Sequence, residues 1–119
     1  MDGIFKVVVT GGRDFTDNEG FLWNMLFDIY REYSNMEIAQ GGASGADEIS
    51  RMFSEKVLKK PSKTYYANWK DFGRSAGPIR NKEMLNDFQP DLVLECPGGK
   101  GTRNCVETAK KLGFKVRKI

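Results

Sequence analysis

The chain has 119 residues, 39% of them apolar and 29% charged, with a net charge of +3. That is the balance of an ordinary globular domain, long enough for one core and too short for two. Two cysteines and no histidine exclude Ser-His-Asp and Cys-His catalysis and argue against a zinc site or a disulfide framework.

Residues 4–10 are rich in β-branched side chains and predict a buried strand. Gly11-Gly12-Arg13-Asp14 follows as a turn. Thr16 and Glu19 have the spacing of a capping box, which predicts a helix from Thr16 to about Ser34. Phe21, Leu22, Met25, Leu26, Ile29, Tyr30 and Tyr33 fall on its apolar stripe. Residues 36–40 predict a second strand, running into Gly41-Gly42-Ala43-Ser44-Gly45-Ala46-Asp47. The next helix spans about 46–59, burying Ile49, Met52, Phe53 and Val57, and Lys60-Pro61 stops it.

A third strand is expected at 64–67 and an irregular polar loop at 68–77, with Trp69 and Phe72 embedded in it. Pro78 suits the first turn of a helix that reaches about Phe88. Residues 91–95 predict a fourth strand. Pro97-Gly98-Gly99-Lys100-Gly101-Thr102 then feeds a helix over about 103–112, closed by Gly113, and 114–119 predict a fifth strand.

The order βαβαβαβαβ implies a three-layer, Rossmann-like α/β fold: a parallel sheet of about five strands with helices on both faces. With the strand order 3-2-1-4-5, the turns after strands one, two and four are neighbours at the switch point, where such folds bind ligands. Those are the three glycine-rich turns. Glycines let backbone N–H groups approach a ligand, and helix N-termini favour negative charge. The expected guest is a phosphate-bearing small molecule, with no metal and no cofactor.

Each turn also has a purely structural reading. Gly11 and Gly12 form either a tight turn or a phosphate seat, with Arg13 as a fork of donors and Asp14 beside them. Ser44 and the N–H groups around Gly42 and Gly45 form a candidate anion nest. Asp47 either orients a ribose hydroxyl or adds a favourable charge to a first helical turn. The 97–102 turn is not a P-loop and lacks the dinucleotide fingerprint, yet three glycines in four positions point to backbone contact with a ligand, and Thr102 can cap its helix and donate to phosphate. Arg74 and Arg80 either clamp a phosphate or stand as surface arginines. Trp69 either covers the site or packs its loop down. Cys96 and Cys105 read as buried, reduced thiols.

Residues 10–17, Gly41 through Asp47, Trp69 through Asn81 and Pro97 through Thr102 together resemble the YspA, cpYpsA-related family of the SLOG superfamily, over essentially the whole chain. The resemblance implies a Rossmann-like domain that binds nucleotides or nucleotide-derived ligands, ADP-ribose-like molecules among them. The superfamily also holds the LOG phosphoribohydrolases. Their Pro-Gly-Gly-x-Gly-Thr turn is matched by Pro97 through Thr102, and their Arg-Lys-x-x-Met-like context resembles Arg80-Asn81-Lys82-Glu83-Met84. Those enzymes place a glutamate shortly after Gly-Thr. Here Glu107 arrives late, on another helical face. Asp14, Asp47 and Asp71 are the carboxylates that remain as candidates, with Arg80 positioning phosphate.

The leading expectation is a binder of a nucleotide-derived ligand, acting as sensor, carrier or sequestering protein. A nucleotide N-glycoside hydrolase is the alternative. A single-stranded nucleic-acid binder is a third class, and the mild net charge, with a pI near 8.9, argues against it. No apolar run is long enough for a bilayer, and residues 1–5 lack a signal peptide's basic start, so a cytoplasmic protein is expected. A domain this small also gains core by self-association, which makes a homodimer or higher homo-oligomer compatible with the sequence.

Overall fold

In the computed structural model, which describes residues 3–119, strand β1 (Phe5–Thr10) is the centre of the molecule. Met1 and Asp2, which open the segment read for a leader, lie outside the described residues. Val7, Val8 and Val9 are all fully buried. Successive side chains of a strand face opposite ways, so three buried neighbours require cover on both faces. Helices α1 (Phe21–Glu32) and α2 (Ala46–Phe53) supply it on one face, with Leu22, Leu26, Ile29 and Phe53 against Val7 and Val9. Helices α4 (Ala76–Phe88) and α5 (Lys100–Lys111) supply it on the other, with Met84, Leu85, Phe88, Cys105 and Ala109 against Val8.

Strands β2 (Met36–Gln40), β3 (Lys63–Thr64), β4 (Leu92–Glu95) and β5 (Val116–Lys118) complete a wholly parallel sheet in the order β3-β2-β1-β4-β5. This is the expected Rossmann-like architecture and strand order. Val8 pairs with both Ala39 and Val93 in register, which sets the carboxyl ends of β2, β1 and β4 side by side. The chain reverses direction across the sheet between β1 and β4, so a crevice opens there. Among the described residues no helix is long and apolar enough to cross a membrane.

Several boundaries differ from expectation. The capping box does not form. The chain turns at Asp17, whose φ is 56°, and at Gly20, φ 74°, and α1 starts only at Phe21. The Asp17 carboxylate accepts from the N–H groups of Leu22 at 2.9 Å and Trp23 at 3.0 Å. One carboxylate serving two first-turn donors outcompetes a hydroxyl serving one. As the first helical residue, Phe21 points back beyond the helix end and is exposed rather than part of the stripe. Tyr33 lies past the other end and stacks on Phe5, with ring centroids 3.9 Å apart.

The 68–77 segment is not a loop. Asn68 caps a single helical turn, α3 (Trp69–Phe72), by accepting from Asp71 N–H at 3.2 Å, and a 3-10 turn, Gly73–Ser75, joins it to α4. Helix α2 loosens into a π-helical turn, Ser54–Leu58, before Lys59 ends it. Strand β3 is shortened because the chain leaves the sheet after Tyr65, whose N–H still reaches the Gln40 carbonyl at 2.9 Å. Helix α5 begins three residues early, at Lys100, so Thr102 is inside its first turn and is not its cap.

Candidate functional site

The turns after β1, β2 and β4 enclose a cavity of about 780 Å³ at the carboxyl ends of those strands. Thr10 through Arg13 form its floor. Gly41, Gly42, Ala43 and Asp47 form one side. Gly99 through Thr102 and Asn104, at the start of α5, form the opposite side. Tyr66, Ala67, Trp69 and the first turns of α4 close the remaining wall.

Arg80 is wired in place. Its Nη1 donates to the carbonyls of Gly41 at 2.7 Å and Tyr65 at 3.2 Å, and its Nε donates to Asn81 Oδ1 at 2.9 Å. The buried Asn81 passes the constraint on, donating to the Gly101 carbonyl at 3.2 Å and to Asn104 Oδ1 at 3.1 Å. Helix α4 is thereby tied to the turn after β2 and to the first turn of α5. Such a network fixes the rotamers of the groups that face the cavity.

Asp47 is the sole carboxylate among the residues that line the cavity. Burial pushes its carboxyl above the ordinary value, against the pull of the Ala43 N–H bonded at 3.2 Å and the Arg80 charge. Cys96, at the end of β4, is pushed up to about 12 and Cys105 to about 11, both chiefly by burial. Neither is a thiolate at neutral pH.

Three donors of the turn after β2 are already committed. Gly42 N–H donates to Gln40 Oε1 at 2.6 Å, Ala43 N–H to Asp47, and the Ser44 hydroxyl to the Arg13 carbonyl at 3.1 Å. These three donors are therefore not free for the expected anion nest. Helix α5 differs: no side chain caps it, and Lys100, Gly101 and Thr102 bring its first turn to the cavity.

Of the residues picked out in the sequence, the cavity gathers Gly11, Gly12, Arg13, Gly42, Asp47, Trp69, Arg74, Arg80, Asn81, Gly99, Lys100, Gly101 and Thr102. It does not gather the others. Asp14, Pro97 and Gly98 line a separate hollow of about 530 Å³ behind Gly12, shared with residues 15–19. Ser44 lines a small recess with Glu48 and Arg51. Gly45, at φ 74° and ψ −127°, packs against the Gly12 carbonyl, where a Cβ has no room. Asp71 and Glu107 are exposed and line neither space. Thr10, Tyr66 and Asn104 line the cavity without having been singled out. Asn104 was legible from helical phase, one turn beyond Gly101. Tyr66 was hidden by its assignment to a strand.

An open parallel sheet, covered on both faces and carrying a cation-rimmed cleft at its switch point, defines a Rossmann-like ligand-binding domain. The chain belongs to the YspA, cpYpsA-related SLOG family, whose sequence model matches residues 5–72; the family is a Rossmann-like, nucleotide-ligand-binding one. It is 31% identical over 118 residues to the Gene 61 protein of Mycobacterium phage D29, covering 93% of each chain. Its fold is similar to that of UDP-N-acetylglucosamine 2-epimerase, with a TM-score of 0.58 at 17% identity. That match takes in 98% of this chain and 33% of the other, so the chain spans about a third of the epimerase's length.

Proposed function

We propose that the protein binds a nucleotide or nucleotide-derived, phosphate-bearing ligand, a nucleoside monophosphate or an ADP-ribose-like molecule, as a sensor, carrier or sequestering protein. The observation that carries this reading is the uncapped first turn of α5, which meets the cavity at Lys100, with Arg13 and Arg80 among the other lining residues. Phosphate belongs there, against free N–H groups, a helix N-terminus and cationic side chains. Asp47 belongs at the ribose, where its carboxyl accepts from a hydroxyl. The two free, buried thiols suit a reducing compartment, and in this reading the protein works in the cytoplasm.

The burial of Asp47 within the cavity favours a second reading, nucleotide N-glycoside hydrolysis. Cleavage there adds water across the bond between the anomeric carbon and the base nitrogen. A carboxyl held above its ordinary pKa is suited to proton transfer at that bond.

Proton NMR of AMP, GMP, CMP, NAD and ADP-ribose, each followed over hours with the protein, tests both. Broadened but intact ligand signals support the binder. Signals of free base that disappear with Asp47→Asn support the hydrolase. Unbroadened, unchanged spectra for the whole panel overturn both.

A further inference from the structure

Two aromatic side chains at the cavity mouth are left open. Tyr66 is 79% exposed and Trp69 is 50% exposed, although both line the cavity. Rings of this size ordinarily gain by burial. Neither packs on another aromatic ring among the described residues.

Each ring nevertheless has a prepared seat. A Cβ on Gly42 would lie 2.8 Å from Cε1 of Tyr66. A Cβ on Gly77, buried in the first turn of α4, would lie 3.3 Å from Cη2 of Trp69. Both rings rest against glycine backbone, Tyr66 largely exposed and Trp69 half exposed.

The rings are also set apart from the α5 end of the cavity. Tyr66 and Trp69 follow β3, whereas Lys100, Gly101 and Thr102 follow β4. In the order β3-β2-β1-β4 those strands are three spacings apart, about 14 Å. Asp47 and Arg80 lie between the two ends, beside Gly41. A ligand lying across the strand ends meets two open rings at one end, with Arg74 and Arg80 beside them, and the N-terminus of α5 with Lys100 at the other.

We propose that Tyr66 and Trp69 are the stacking platform for a planar heterocycle, so that the site takes a nucleobase-bearing ligand, base at the β3 side and phosphate at α5, in preference to a bare sugar phosphate. This rests on the nucleotide-binding reading and adds which end of the ligand each wall holds. Stacking is tolerant of base identity, because every base presents a π-face. The platform therefore discriminates base from no base.

Calorimetric titration of the full chain with AMP, GMP, CMP, UMP and ribose 5-phosphate tests it. At least one nucleotide is expected to bind about tenfold or more tightly than ribose 5-phosphate. Trp69→Ala is expected to remove most of that margin, weakening the nucleotide far more than the sugar phosphate. Trp69→Phe, which keeps a flat ring, is expected to recover part of it. Nucleotide should quench tryptophan emission in the native chain and much less in Trp69→Phe, since the other tryptophan, Trp23, is on α1. Equal affinity for nucleotide and sugar phosphate, or equal weakening of both by Trp69→Ala, overturns the platform and leaves the nucleotide-binding reading standing. No binding by any of the five probes overturns the platform, and failure of NAD and ADP-ribose as well overturns the nucleotide-binding reading with it.

Discussion

The Arg80 guanidinium donates to the Gly41 carbonyl at 2.7 Å, joining helix α4 to the turn after β2 across 39 residues of chain. The same group also holds Tyr65 and Asn81, so one side chain sets three pieces of cavity wall. Arg80→Lys keeps the charge and loses the planar fork. We expect about tenfold or greater loss of AMP affinity by calorimetry. We also expect a stability loss of about 1–3 kcal/mol in urea unfolding, from the backbone carbonyls left without a donor. Unchanged affinity would show that Arg80 is only a brace.

Asp47 makes a prediction about pH. Its folded carboxyl is held above the ordinary 3.8 because burial penalises the charge. Below 3.8 it is protonated in folded and unfolded chains alike. Between 3.8 and the raised value the folded chain keeps a proton that the unfolded chain has released, so its contribution to stability falls as pH rises through that window. Asp47→Asn removes the charge and keeps an acceptor for Ala43 N–H. The variant should be more stable than the native chain near neutral pH, with the gain shrinking toward about pH 4 in thermal melts. Its nucleotide affinity should fall. Stability gained where binding is lost is the signature of a group kept for its ligand.

Gly45 tests the backbone of the site. Its φ of 74° with ψ of −127° is a conformation reserved for glycine, and a Cβ would collide with the Gly12 carbonyl. Strain alone makes Gly45→Ala destabilising by on the order of 1–3 kcal/mol, with the collision adding to it. The Gly12 turn must also shift, so AMP affinity should drop although Gly45 does not line the cavity. Denaturant midpoints and calorimetry on one preparation check both effects.

The thiols give a simpler expectation. Cys96 and Cys105 are buried and held to about 12 and about 11. In the native protein neither should react with Ellman's reagent over the time in which both react in denaturant. Rapid native labelling of Cys96 would mean that β4 and the turn after it open readily.

The fold was legible because β1 and β4 are apolar on both faces and the glycine turns mark where each strand hands over to a helix. What escaped was decided by competition among polar groups over several residues. Asp17 displaced Thr16 as the partner of the α1 N-terminus. Gln40 and Asp47 took up donors that spacing had assigned to an anion. The position of Gly98 in a motif could not show that the first turn of α5, beginning at Lys100, faces the main cavity while Gly98 faces another hollow. Tyr66 joined the wall only because β3 ends at Thr64 and releases the chain.

The brevity of the two outermost strands has a consequence for how copies of this chain meet. β3 offers two residues and β5 three, and Lys63, Arg117 and Lys118 hold exposed charge on them. So short and charged a border is a poor template for a neighbour's backbone. Among the described residues the sheet has five strands, and its two borders give a second copy little backbone to extend it.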